Sequence, residues 1–259
     1  MLHEVSSTKK WWIERRSRGW FPVFALVASG TRNDAVRAID AASRAFPSWA
    51  DSAPIERQRI FLRAADLVEQ RAEEIGRILA KETGGTQLFS AFQVHWITGH
   101  LRQAAGWVYQ PIGELIPSDL PGNMSMAIRR PLGVIAAFSP WNGASLLAWR
   151  SVVGPLAFGN TVVLKPSEFA PVSAGTLVAE ILEQAGLPEG VLNVVTHAPG
   201  EAEPIADEFV ENRAVRKFSF TGSAPIGRLL AQRAASALTP IWLELGGYNP
   251  SVGARRRRP

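Results

Sequence analysis

The chain contains no cysteine in its 259 residues. Disulfides and thiolate metal sites are therefore excluded, and a cysteine-free chain fits the cytoplasm. No apolar run approaches the about 20 residues that cross a bilayer, so no membrane partner is expected. The dinucleotide fingerprint G-x-G-x-x-G is absent, since the spacing from Gly222 to Gly227 does not match it. The nucleophile elbow G-x-S-x-G of serine hydrolases is absent too. Histidines are few. His95 and His100 lie among apolar residues with no second ligand to pair with them, which reads as structural rather than metal-binding. Genuine excess charge is also scarce. Arg255, Arg256, Arg257 and Arg258 carry four of the five net positive charges. Such a run reads as a solvated tail, and no nucleic-acid partner is expected.

What is present is ordinary for an α/β protein: 46% hydrophobic and 20% charged residues, in a chain long enough to bury a sizeable core. Lys9, Lys10, Arg15, Arg16 and Arg18 precede an apolar run over residues 21–28, a pattern shared with export signals. Pro22 interrupts that run, and residues 24–28 read as a first strand. Thr31, Asn33 and Asp34 open a helix that Pro47 should end. Ser52 and Pro54 open the next. A third carries Ile75, Ile78 and Leu79 and stops at Gly84-Gly85. Residues 86–109 form a fourth helical stretch. Residues 110–130 are broken by proline and glycine and read as a β-hairpin.

From Leu132 the pattern becomes regular. Strands are expected at 132–138, 161–164, 191–195, 215–220 and 241–245, with helices at 146–156, 171–185, 203–209 and 224–235 between them. Strands alternating with helices make a parallel, doubly wound sheet. Ligands of such sheets bind beyond the carboxyl ends of the strands. Those ends carry, in order, Pro140-Trp141-Asn142, Lys165-Pro166-Ser167-Glu168, Thr196 to Gly200, Gly222-Ser223, and Glu244-Leu245-Gly246.

Four of the five ends have two readings. Lys165 and Glu168 can serve a ribose diol, the carboxylate repelling a 2′-phosphate, or form a surface ion pair. Gly222-Ser223 opens a helix whose free N–H groups suit a pyrophosphate, or is a plain cap. Asn142 can donate to an oxyanion, or be a turn residue. Glu244 can be a buried general base with a raised pKa, or a buried acid paired with a backbone amide.

The motifs SPWN, LKPSE, FTGS and ELGG occur in this order and at domain-scale spacing. With them the chain resembles the aldehyde dehydrogenase superfamily over roughly residues 25–250. The stretches MAIRRPLGVIAAFSPWN, NVVTHAPGEAEPIADEFVEN and LELGGYNP resemble the benzaldehyde, salicylaldehyde and vanillin dehydrogenases within it.

The resemblance implies a Rossmann-like coenzyme domain over residues 24–247, interrupted by an oligomerisation hairpin at 110–130. Residues 1–23 form an atypical N-terminal segment and residues 248–259 a basic tail. It implies NAD as cofactor, with NADP possible, a small aldehyde as substrate, and self-association. Asn142 then holds the oxyanion and Glu244 activates the hydrolytic water. Lys165, Ser167 and Glu168 meet the adenosine ribose. Ser223 meets the pyrophosphate with Gly222 allowing close approach, Ile226 packs near the cofactor, and Gly200 is a further cofactor-binding residue. Pro140, Trp141, Leu245 and Gly246 line the nicotinamide side. Leu147 and Arg150 face the substrate, with Arg150 favouring a hydroxylated or anionic aryl aldehyde.

The chain also departs from the family. The family's nucleophile is a cysteine C-terminal to ELGG, and this sequence has none. The catalytic domain and the strand exchanged between subunits are expected to be missing, with both ends resembling interrupted reading frames.

Overall fold

The computed structural model describes residues 12–16 and 23–247. The tail at 248–259 and most of the segment 1–23 lie outside the described residues. Strand β1 (Trp12–Arg16) pairs antiparallel with β2 (Val23–Ala28) in a separate two-stranded ribbon. The first strand is therefore a residue longer than expected and has a partner drawn from the basic segment.

Four helices follow: α1 (Arg32–Ala50), α2 (Pro54–Gln70), α3 (Ala72–Thr83) and α4 (Gln87–Trp107). Thr31 and Asp34 close a capping box at the start of α1. Pro47 does not end α1, contrary to expectation. The helix runs on to Ala50 because Trp49, 2% exposed, packs into the core. That burial outweighs the single hydrogen bond that proline removes. Strands β3 (Gly113–Ile116) and β4 (Ser125–Ile128) then form the expected hairpin, almost wholly exposed.

The main sheet holds β5 (Val134–Ser139), β6 (Thr161–Pro166), β7 (Leu192–Val194), β8 (Val215–Gly222) and β9 (Ile241–Leu245). Its order is β7-β6-β5-β8-β9, with every neighbouring pair parallel. The helices between these strands are α5 (Ala144–Ala157), α6 (Leu177–Gln184), α7 (Ala202–Glu211) and α8 (Ala224–Ser236). A π-helical turn (Val172–Thr176) leads into α6, where one continuous α-helix was expected.

Alternation along the strands divides the core in two. Val134, Ala136 and Phe138 of β5 and Val163 of β6 pack with α1, α7 and α8. Ile135, Ala137, Val162 and Leu164 pack on the opposite face with α2, α4, α5 and α6. Both faces are covered, so β5 and β6 are buried at every position, as parallel strands must be. Among the described residues no helix is long and apolar enough to cross a membrane.

Candidate functional site

The strand order reverses at β5: β6 and β7 lie to one side, β8 and β9 to the other. The carboxyl ends of all five parallel strands lie along one edge of the sheet, with the switch point between β5 and β8.

At the β6 end, Lys165 is only 9% exposed. Its Nζ lies 2.7 Å from His197 Nε2 and 5.9 Å from the Phe138 ring centroid. Phe138 and Lys165 are register partners on adjacent strands, so the ring lies beneath the lysine stem. Glu168, half-buried, places Oε2 3.9 Å from His197 Nε2. Ser167 shapes this turn. Its backbone N–H donates to the Ser139 carbonyl at 2.9 Å, and its hydroxyl donates to Glu168 and accepts from the Phe169 N–H. Gly175 lets the π-turn close on the same strand end, because a Cβ there would lie 2.8 Å from the Pro166 ring.

The β7 end is tied to the β1–β2 ribbon. Gly30 N–H donates to the Thr196 carbonyl at 2.8 Å, Thr196 Oγ1 donates to the Ala28 carbonyl at 2.6 Å, and Ala198 N–H donates to Ser29 Oγ at 3.0 Å. His197, between these two anchors, is 1% exposed. Gly200 follows in the same turn, exposed, with a φ of +85° that glycine adopts without strain.

Burial pushes the Lys165 ammonium down to about 8, against an upward pull from Glu168. The unfolded chain keeps this proton to about 10.5. Between those values the unfolded state binds more protons, so stability rises with pH. Relative to Lys165→Met, the native chain should gain roughly 2–3 kcal/mol of unfolding free energy from pH 8 to 10.5. Urea titrations of both proteins across that range measure it, and a pH-independent difference would show an ammonium that is still hydrated.

On the other side of the switch point, Ser223 is the N-cap of α8 and makes no capping bond with its own side chain. The first turn of α8 carries no acidic residue. Its N–H groups and the positive helix end are therefore available to an anion. Gly222 and Leu245 are register partners, and Gly246 N–H donates to the Gly222 carbonyl at 3.3 Å. Leu245 lies against Gly227, where a Cβ would collide with it. Ile226 is 49% and Leu245 42% exposed, so both present apolar surface at this edge.

At the β5 end, Pro140 is half-buried while Trp141 and Asn142 are exposed. Trp141 meets the edge of Phe169 at 6.4 Å. Asn142 Oδ1 accepts the Gly143 N–H at 2.9 Å. With the oxygen so engaged, the amide NH2 is turned away from its own backbone and can donate outward. Leu147 packs over Gly143, where a Cβ would come within 3.3 Å of it.

Glu244 is not the enclosed carboxyl that the apolar strand suggested. Its side chain is 41% exposed, and its carboxylate pairs with the Arg150 guanidinium. Residues of β9 alternate, so Leu243 reaches the core while Trp242 and Glu244 face the α5 side, where Arg150 stands. Arg150 is thus engaged with Glu244 rather than free, and burial pulls its pKa down.

Of the two histidines of α4, His95 is exposed and His100 is half-buried. His100 stacks on Trp96 at 4.6 Å and meets Trp107 edge-on at 5.2 Å. Burial, then Arg150, lowers its pKa to about 4. Among the described residues no cluster of three or more His, Asp or Glu could hold a metal ion.

Two residues of the site were not singled out from the sequence. His197 stood in a recognised strand-end turn, but nothing local marks its contact with Lys165, 32 residues away. Phe138 read only as strand core. Taken together, the β6–β7 end offers ammonium donors beside a carboxylate, and the β8–α8 end offers backbone donors. That donor set fits a ribose diol joined to a diphosphate.

Residues 12–253 match the aldehyde dehydrogenase family. The chain is 44% identical over 237 residues to a vanillin dehydrogenase of Pseudomonas sp. (strain HR199 / DSM 7063), covering 92% of this chain and 49% of that one. In three dimensions it is similar to a salicylaldehyde dehydrogenase from Pseudomonas putida G7 complexed with salicylaldehyde. The TM-score there is 0.89 at 39% identity, over 92% of this chain and 49% of that one. A NAD-dependent benzaldehyde dehydrogenase from Corynebacterium glutamicum gives a TM-score of 0.86 at 34% identity, over 92% and 51%. The chain spans about half the length of the curated relatives it matches. With the motifs, the strand order and these matches in agreement, the chain belongs to the aldehyde dehydrogenase family.

Proposed function

We propose that this chain binds NAD along the carboxyl edge of its sheet, as the coenzyme-binding part of an aromatic aldehyde dehydrogenase. The observation that carries this reading is the Lys165–His197–Glu168 cluster at the carboxyl edge of the sheet from which α8 also starts, its N-terminus uncapped. Lys165 and Glu168 take the adenosine ribose, with Ser167 fixing the turn. Ser223 and Gly222 take the pyrophosphate, Ile226 packs beside it, and Gly200 borders it from the β7 turn. Pro140, Trp141, Leu245 and Gly246 border the nicotinamide, which when bound supplies the hydride acceptor.

Asn142 donates its free amide hydrogens to the developing oxyanion. Glu244 holds a proton from water once its pair with Arg150 opens, and Arg150 and Leu147 then face the aryl group. The exposed apolar side chains Leu115, Met126 and Ile128 of the hairpin support self-association there.

A second reading concerns the chain by itself. It contains no cysteine, so no thiol within it can attack an aldehyde. The expected result for the purified chain is therefore NAD binding without aldehyde-dependent NADH formation from benzaldehyde or salicylaldehyde. Turnover abolished by Glu244→Gln would overturn that second reading.

Coenzyme choice gives a further check. A carboxylate beside the ribose disfavours a 2′-phosphate, so Glu168→Gln should narrow the preference for NAD over NADP by about tenfold. Calorimetric titrations with both dinucleotides measure it, and an unchanged preference would remove Glu168 from the ribose site.

A further inference from the structure

We propose that His197 is a positioning residue of the coenzyme site, holding the Lys165 ammonium at the β6 end so that its remaining N–H groups face the ribose. This rests on the reading of that end as the ribose site.

The tautomer follows from the partners. His197 Nδ1 lies 2.9 Å from the Ala198 carbonyl oxygen, which can only accept. Nδ1 therefore carries the hydrogen, and Nε2 presents a lone pair to Lys165 Nζ at 2.7 Å. An ammonium has three N–H groups. One is spent on His197, and two remain for a diol.

The imidazole is itself held from both sides. The neighbouring Thr196 and Ala198 are tied to Ala28, Ser29 and Gly30 by three hydrogen bonds. A Cβ at Gly30 would lie 2.7 Å from the Thr196 carbonyl, so only glycine permits that approach. Without His197, Lys165 would keep the Phe138 face on one side and the more distant Glu168 on another, with no direct acceptor for its buried head. Burial, and after it the charge of Lys165, lower the His197 pKa, which keeps the ring neutral and Nε2 an acceptor.

The placement of His197 also links the coenzyme edge to the N-terminal ribbon. The β1–β2 ribbon is outside the main sheet, yet it fixes the turn that fixes the lysine. Lysine has four rotatable side-chain bonds and loses much rotamer freedom when ordered. A ring already locked by its own backbone lowers that cost at the moment of binding.

The test uses the full chain with His197→Leu, which fills the space without an acceptor, and His197→Gln, whose amide oxygen can accept. NAD, ADP-ribose and nicotinamide mononucleotide are titrated calorimetrically, beside a thermal melt of each variant. His197→Leu should weaken NAD and ADP-ribose about tenfold and leave the mononucleotide unchanged, while His197→Gln stays within about threefold of wild type. In the Lys165→Met background the same leucine change should have no further effect. A folded His197→Leu variant with wild-type ADP-ribose affinity would overturn the proposal.

Two-dimensional nitrogen NMR of the imidazole supplies a readout independent of coenzyme. The Nδ1–H tautomer is expected, and a protonated Nε2 would overturn the proposal even where no dinucleotide binds. Failure of the wild-type chain to bind NAD, with the expected tautomer present, would instead count against the coenzyme reading and leave His197 holding Lys165.

Discussion

Replacing Glu82 with alanine is expected to lower the unfolding free energy by about 3–5 kcal/mol. Glu82 lies in the last turn of α3 and is 1% exposed. Its Oε1 accepts the Val172 N–H at 2.9 Å and its Oε2 the Ser173 N–H at 2.7 Å. Those two groups open the π-turn before α6, where a helix start has no intrahelical partners for its first N–H groups. A carboxylate there also meets the positive end of the helix.

Truncation would leave the two N–H groups without these acceptors, in a place where Ser173 is fully buried. Each unsatisfied group costs about 1–3 kcal/mol. Glu82→Gln keeps one acceptor but turns an NH2 toward the other N–H, so roughly half the loss should remain. Urea unfolding with an unchanged slope measures both variants. A loss under about 1 kcal/mol for the alanine variant would show that water reaches the helix start. The π-turn directly follows the Lys165–Glu168 turn, so weaker NAD binding should accompany the lost stability.

The second large effect is expected at Phe138. Phe138→Ala should cost about 3–5 kcal/mol. The ring is 3% exposed and meets Phe209 of α7 edge-on at 5.5 Å and Phe220 of β8 at 5.9 Å. It joins the central strand to one helix layer and to the neighbouring strand, across the switch point. The cost combines lost apolar burial, a residual cavity and two aromatic contacts of about 0.5–1.5 kcal/mol each.

Phe138→Leu separates packing from the ring. It keeps most of the volume and should cost less than about 1.5 kcal/mol. It also removes the aromatic face beneath the Lys165 ammonium, which is worth about 0.5–1 kcal/mol at such sites. The leucine variant should therefore fold nearly as well as wild type while its Lys165 deprotonates at lower pH. Equal stability of the alanine and leucine variants would contradict the packing account.

Much of this protein is determined by local sequence. The strand–helix alternation after Leu132 is legible because a parallel strand buried on both faces must be apolar throughout, as β5 and β6 are. The turns at the strand ends are legible because their prolines, glycines and small polar residues interrupt that pattern. The ordered motifs identify the family for the same reason, since they are those turns. Boundaries shifted where burial overrode a local signal, as at Pro47, which Trp49 carries within α1.

The tertiary structure decided the partnerships. Lys165 meets His197 because β6 and β7 are parallel neighbours with Leu164 opposite Val194, so the turn after β7 runs beside the end of β6. Glu82 caps a helix start 90 residues away at Val172, and Arg150 reaches Glu244 only because α5 covers the face toward which alternate β9 residues point. Strand period and turn chemistry are set by backbone geometry over a few residues. Which side chains then meet depends on sheet order and layer packing, and these are settled only when distant segments bury one another.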